Sequence, residues 1–229
     1  MSDAAGIGPL VLVGGAEWTE GDSFDAGLLE HAGREVLVLP TAAAFERPER
    51  AVEHAQRWFA GLGGHVRPCM VLTRTDAENS ELAELVRSAR LIYLSGGSPL
   101  HLRSVLKDSA VLHGLVAAWR DGAVVAGSSA GAMALTDPMV DPRGGAFTVG
   151  LGLVRGLAVV AHYHGERSAQ LRRTLALAPT GCAVVAIGER TALIREPDGT
   201  WRHEGAGPLE IFLDGEQAGL EVLAGKPLA

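Results

Sequence analysis

Val124-Val125-Ala126-Gly127-Ser128-Ser129-Ala130-Gly131-Ala132-Met133 is the stretch on which the reading of this chain turns. A short apolar run stops abruptly at Gly-Ser-Ser-Ala-Gly, and an Ala-rich segment with helical potential follows. Strand, cramped turn and helix in that order form the pattern of a nucleophile elbow. A turn this tight brings backbone segments too close for side chains, which accounts for the flanking glycines. Ser129, in the middle of Gly-x-Ser-x-Gly, then projects at the carboxyl end of the strand. Its hydroxyl sits near the start of the following helix, whose free N–H groups favour a developing negative charge. The same five residues also serve as a plain turn between a buried strand and a helix, so the rest of the chain has to decide.

Upstream of the elbow, strands and helices alternate. Apolar runs at Leu10–Val13, Glu35–Leu39, 66–72 and 90–94 read as strands, and 123–126 is the fifth, leading into the elbow. Helical spacing covers 24–31, 47–62, Ser80–Ser88, 100–106 and 111–120. The strands are continuously apolar rather than alternating, as expected of a parallel sheet covered by helices on both faces. Gly14-Gly15 and Gly96-Gly97 stand at the carboxyl ends of the first and fourth strands. Ligand sites of open α/β sheets form at that edge.

Downstream the character changes. Residues 137–152 are rich in Pro, Gly and Asp and read as a loop. A strand over 158–161 ends at His162-Tyr163-His164, a helix covers 166–178, and Ala183–Ile187 and Thr191–Arg195 are strands around Gly188-Glu189-Arg190. Pro197-Asp198-Gly199 turns into a strand at 201–204, and Leu209–Leu213 and Leu220–Leu223 read as short strands. The tail is thus expected to form an antiparallel extension on the edge of the parallel sheet. With no repeat, low-complexity segment or linker, one domain over 1–229 is expected.

Composition narrows the partners. At 229 residues, with 47% hydrophobic and 21% charged residues, the chain can bury a sizeable core. A net charge of −7 argues against nucleic acid, whose phosphates need a basic face. No run is long and apolar enough to span a membrane. Residues 1–5 lack the pattern of a secretory signal, and the isolated Cys69 and Cys182 form neither a disulfide framework nor a metal motif. A reducing cytoplasm is the expected compartment. Gly14-Gly15 lacks dinucleotide-binding spacing, and no phosphate-binding Gly-Lys-Ser is present.

A serine hydroxyl is inert near neutral pH until a base accepts its proton and a third group orients that base. His162 and Glu189 follow successive apolar strands, as Ser129 does, so all three fall at strand ends. In an extended segment His164 faces the same side as His162. Each residue taken singly also has a plain reading, the histidines in a surface loop and Glu189 in a solvated turn. An oxyanion hole needs two converging backbone N–H groups; Ala130 follows the nucleophile, and Gly97 ends a neighbouring strand. His162 and His164 without a cysteine or carboxylate cluster argue against a metal.

These residues resemble a family. Gly127-Ser128-Ser129-Ala130-Gly131-Ala132 is similar to the elbow of the serine peptidases that include dipeptidase E and cyanophycinase. Val11-Leu12-Val13-Gly14-Gly15-Ala16-Glu17, Leu39-Pro40-Thr41-Ala42 and Leu94-Ser95-Gly96-Gly97 resemble segments of the cyanophycinase branch, as do His162-Tyr163 and Ile187-Gly188-Glu189-Arg190-Thr191-Ala192-Leu193. The matches run in family order. The resemblance implies a class I glutamine amidotransferase-like fold, a three-layer α/β sandwich. It implies Ser129 as nucleophile, His162 as base and then acid, Glu189 as orienter, and peptide hydrolysis through an acyl-enzyme without metal or cofactor. Characterised members cleave beside aspartyl residues, so a short acidic peptide is the expected substrate, with Gly15, Ser98, His164 and Arg167 as candidate substrate contacts. Ser98-Pro99 replaces the Asp-Gln common in cyanophycinases, Trp18 stands where a small acidic residue is common, and Arg167, Arg172 and Arg173 are out of register. A non-catalytic small-molecule binder on the same fold is the competing reading, and a homodimer stays open. A glutamine amidotransferase needs a Cys that this elbow lacks.

Overall fold

The computed structural model describes residues 6–229, so residues 1–5, read above for a secretory signal, lie outside it. Five parallel strands, β1 (Leu10–Val13), β2 (Glu35–Leu39), β3 (His65–Pro68), β4 (Leu91–Leu94) and β5 (Val124–Ser128), make most of a seven-stranded sheet. Their order is β1-β5-β4-β2-β3, and Thr191–Arg195 and Trp201–Gly205 continue it antiparallel beyond β1. β3 stops at Pro68, short of the expected 72, where the chain turns away.

The pleat sorts each apolar run onto two faces. Leu10, Leu12, Leu37, Leu39, Ile92, Leu94 and Val125 pack on one side with α5 (Pro99–Leu106) and α6 (Ala110–Arg120). Val11, Val13, Val36, Val38, Tyr93, Val124 and Ala126 pack on the other with α1 (Phe24–Ala32) and α2 (Pro48–Gly61). Each Leu, Ile or Val so buried stabilises the fold by about 1.5–3 kcal/mol. Sequence-local devices start the helices. Pro48 opens α2, and the Ser98 and Ser109 hydroxyls accept the N–H of the third residue of α5 and α6, His101 and Leu112, at 3.3 and 3.1 Å. The remaining helices are α3 (Arg74–Ala77), α4 (Ser80–Ser88), α7 (Ala130–Leu135) and α8 (Ala169–Leu177).

The tail departs from expectation. Only Thr191–Arg195 and Trp201–Gly205 extend the main sheet. Leu157–Val160, Ala183–Ile187, Leu209–Leu213 and Glu216–Ala218 form a second, four-stranded sheet, its first two strands parallel. Val159, Val185, Ile187 and Ile211 of that sheet join the main core, while Val184, Ala186 and Phe212 pack with Leu171 of α8. Hydrophobic runs identify strands but not their partners. The chain changes sheet at Gly188-Glu189-Arg190, where Arg190 takes a left-handed φ of 53°. Leu220–Leu223 is a 3-10 turn rather than a strand. The 137–152 loop holds a two-residue pairing of Met139–Val140 with Phe147–Thr148.

The two sheets meet end to end at Gly14-Gly15. Gly14 O accepts the His162 N–H at 2.8 Å, and Gly15 O accepts the Arg190 N–H at 2.9 Å. A Cβ on Gly14 would lie 2.1 Å from Gly188 O, so the backbones close only over glycine. The carboxyl ends of β1, β5, Leu157–Val160 and Ala183–Ile187 therefore converge on one spot.

Candidate active site

Ser129 sits between β5 and α7 with φ 49° and ψ −106°, a region that non-glycine residues rarely occupy. Such a conformation costs on the order of 1–3 kcal/mol and persists only where the surroundings enforce it. Here the Ser129 N–H donates to Val13 O at 2.9 Å, and Met133 N–H donates to Ser129 O at 2.9 Å. Glycine on both flanks is a packing requirement. A Cβ at Gly127 would come 2.6 Å from the carbonyl carbon of Gly131, and one at Gly131 would come 2.5 Å from Leu94 O. α7 has six residues, too short for a strong helix dipole, so its contribution at the elbow is limited to individual N–H groups.

His162 and Glu189 come to this hydroxyl from the second sheet. Ser129 Oγ lies 2.8 Å from His162 Nε2, and His162 Nδ1 lies 3.0 Å from Glu189 Oε1. The histidine and glutamate side chains are 48% and 43% exposed, so the chain of hydrogen bonds lies open to solvent along one edge. His162 has a left-handed φ of 55°, which breaks the extended alternation expected for His162 and His164. His164 is accordingly exposed and does not line the cleft.

A cleft of about 590 Å³ opens in front of Ser129. Gly97, Ser98 and Ala130 line it, beside Met133, Val140 and Val160. Arg167 does not reach it; its guanidinium lies over the Phe212 ring, 4.8 Å from the centroid. Gly15 has a different part from substrate contact. A Cβ there would fall 2.3 Å from His162 Cε1, so the bare backbone is the floor on which the imidazole rests. Three polar or charged side chains of the cleft are not legible in the sequence: Arg143 from the 137–152 loop, and Gln170 and Thr174 from α8. Composition marks such a loop without telling which side chain turns inward. The Thr174 hydroxyl is buried and has no partner among the described residues.

Glu17 was also missed as a participant, although it follows the Gly-Gly-Ala turn at the end of β1. Its Oε1 accepts the Gly96 N–H at 2.8 Å, and its Oε2 accepts the Ser128 hydroxyl at 2.7 Å. Trp18 beside it is buried, its ring 5.1 Å from that of Tyr93, so its bulk serves the core. Two buried acids lie behind this turn. Burial lifts Asp22 to about 6, with the Glu17 charge adding to the rise. Burial lifts Asp25 to about 8, Asp22 adding to the rise, while the Trp58 indole N–H at 2.8 Å opposes it.

Between the ordinary carboxyl value of 3.8 and about 8, folded Asp25 binds more protons than the unfolded chain does. Stability is therefore lost as pH rises through that window, by about 1 kcal/mol per pH unit. Asp25→Asn retains an acceptor for Trp58 and cannot ionise. It is expected to raise the melting temperature at pH 8 and to match the parent near pH 4, as a thermal-denaturation series would read. A constant difference across pH would rule out ionisation as the cause.

Among the described residues, no group of three or more His, Cys, Asp or Glu side chains is placed to hold a metal ion. No described helix is long and apolar enough to cross a membrane.

The chain is similar to known proteins. Residues 10–201 match the family model "Peptidase family S51". A cyanophycinase of Synechococcus elongatus is 30% identical over 153 residues, which are 62% of this chain and 47% of the relative. The uncharacterized peptidase YgaJ of Bacillus subtilis (strain 168) is 30% identical over 152 residues, covering 63% of each chain. The chain thus spans about half the length of the cyanophycinase it matches. Among solved structures, a peptidase from an acI-B1 Actinobacterium superposes with a TM-score of 0.83 at 28% identity, covering 94% of both chains. A putative peptidase E of Listeria monocytogenes EGD-e gives a TM-score of 0.59 at 18% identity over 90% of this chain and 98% of that one, a likeness of fold alone. From the first residue of β1 to the first residue of Trp201–Gly205, the match runs through every element that carries the site, and the chain belongs to peptidase family S51.

Proposed function

We propose that this chain is a serine peptidase that hydrolyses short peptides at aspartyl residues, α- or β-linked, through an acyl-enzyme. The observation that carries the reading is the unbroken Ser129–His162–Glu189 hydrogen-bond chain, 2.8 and 3.0 Å, at the head of an open cleft. Ser129 Oγ attacks the scissile carbonyl while His162 Nε2 takes its proton. The tetrahedral oxyanion is received by the Gly97 and Ala130 N–H groups. His162 gives the proton to the leaving amine, the C–N bond breaks, and water repeats the sequence on the acyl ester. Glu189 holds the Nδ1 proton and so presents Nε2 as the acceptor.

The aspartyl part follows from the resemblance to dipeptidase E and cyanophycinase and gains support from charge. Among the described residues, Arg143 is the one side chain lining the cleft that carries a permanent charge. Asp141 grips two of its nitrogens, Nε at 3.0 Å and Nη2 at 2.6 Å, and this pairing holds the Asp141 carboxyl down at about 2. Nη1 has no hydrogen-bond partner among the described residues and can meet a substrate carboxylate.

A panel of Asp-X dipeptides, β-aspartyl peptides and matched Asn-X and Ala-X controls tests the reading. Turnover confined to the acidic members is expected. Arg143→Ala should then raise KM for them by roughly 10- to 100-fold, in the range of a lost charge-assisted hydrogen bond, and leave neutral analogues unchanged. Equal turnover of acidic and neutral peptides would overturn the substrate class, and no turnover of any would count against the peptidase.

A further inference from the structure

We infer that Glu17 is a positioning residue that locks the oxyanion donor to the nucleophile. This rests on the serine chemistry proposed above. The donor segment, Ser95-Gly96-Gly97-Ser98, is a poor candidate for rigidity. Two glycines have little intrinsic conformational preference, and Gly97 adopts a φ of 135° that other residues rarely reach. Yet the peptide that bears the Gly97 N–H is pinned on both sides. On one side the Gly96 N–H donates to Glu17 Oε1 at 2.8 Å. On the other the Ser98 N–H donates to Ala42 O at 2.8 Å. With both flanking peptides held, the two Cα atoms that carry the Gly96–Gly97 peptide are fixed in place, and with them the distance of the Gly97 N–H from the elbow.

The second carboxylate oxygen reaches the elbow. Glu17 Oε2 accepts the Ser128 hydroxyl at 2.7 Å, and Ser128 immediately precedes the nucleophile. Gly96 is enclosed between the two partners. A Cβ built on it would lie 3.1 Å from Glu17 Oε1 and 3.6 Å from Ser129 Cβ. One carboxylate therefore ties together three strand ends, those of β1, β4 and β5, and fixes the separation of Ser129 from the Gly97 N–H. That separation matters because a donor helps only where the oxyanion forms, and a displacement of about 1 Å costs roughly 100-fold.

Three variants test this. Glu17→Ala removes both bonds and is expected to lower kcat, and the second-order rate of fluorophosphonate labelling, by roughly 100-fold with KM nearly unchanged. Ser128→Ala removes one bond without a change of charge and should give a smaller loss; it carries the test if Glu17→Ala does not fold. Glu17→Gln keeps both bonds, since its carbonyl accepts from Gly96 and its amide donates to Ser128, and should stay near the parent rate. Amide hydrogen exchange on the same proteins should quicken at 96–97 and 128–130 in the alanine variants and not in Glu17→Gln. Unchanged exchange at those amides, or a foldable Glu17→Ala with parental kcat, overturns the inference. A parent protein that no fluorophosphonate labels removes the serine chemistry alone, and the exchange pattern still decides whether Glu17 holds the two segments in place.

Discussion

Ser129→Ala is expected to leave a folded protein that no fluorophosphonate labels and whose kcat has fallen by roughly 10⁴- to 10⁶-fold, the range seen when a triad nucleophile is removed. The expectation is large because neither serine beside the elbow or on the donor segment can stand in. The Ser128 hydroxyl is committed to Glu17 at 2.7 Å, and the Ser98 hydroxyl caps α5. The variant should fold well, since the strained φ of Ser129 is one that alanine can occupy at similar cost, and the backbone bonds to Val13 and from Met133 do not involve the side chain. Residual activity should come from the oxyanion donors and binding alone. Intact-mass detection of the labelled adduct and a melting curve for the variant are sufficient. A peptide ligand that stabilises parent and variant equally, with no turnover by either, would instead identify a non-catalytic binder.

Gly15→Ala should strike the proposed base directly. Its Cβ would meet His162 Cε1 at 2.3 Å and Nδ1 at 2.7 Å, inside the contact limit of any carbon. The imidazole must swing away, and the 2.8 Å approach to Ser129 and the 3.0 Å approach to Glu189 are lost together. The loss of kcat should lie between roughly 10²- and 10⁴-fold, from a misplaced base to an absent one. Gly15 also has a φ of 129°, so some stability is lost to backbone strain. Gly33→Ala supplies the control. It has a φ of 95° with nothing within 4 Å of the new carbon, and should cost stability while leaving kcat alone. Similar kcat losses in both variants would mean that strain, rather than contact with the ring, governs the effect.

How much the sequence discloses depends on the kind of constraint. The elbow could be read because Gly127 and Gly131 are demanded locally, by backbone contacts within a few residues or with the neighbouring strand. β1, β2, β4 and β5 could be read because they are buried on both faces and so are almost wholly apolar, whereas β3, at the sheet edge, is largely exposed and its expected bounds missed. His162 and Glu189 stood out because each follows such a run. Pairing could not be read. Nothing in Ala183–Ile187 distinguishes an edge of the main sheet from the second strand of another, and the choice depends on contacts with Leu157–Val160 and Leu209–Leu213. The expectation that His164 faces the same side as His162 failed on one dihedral angle, the left-handed φ of His162. Glu17, Arg143 and Thr174 carry ordinary side chains at ordinary positions, and only their tertiary neighbours single them out.

The end-to-end meeting of the two sheets divides the proposed chemistry between separately supported parts. The nucleophile and its oxyanion donors belong to the main sheet, and the base and its orienter to the smaller one, together with the α8 wall of the cleft. Selectivity and reactivity are therefore addressable apart from each other. The face of α8 and the 137–152 loop can be rebuilt around a new acyl group while the elbow and its glycines are left untouched. The shared constraint is the Gly14-Gly15 joint. It works as a gauge block between the two halves, and its thickness is set by the absence of two methyl groups.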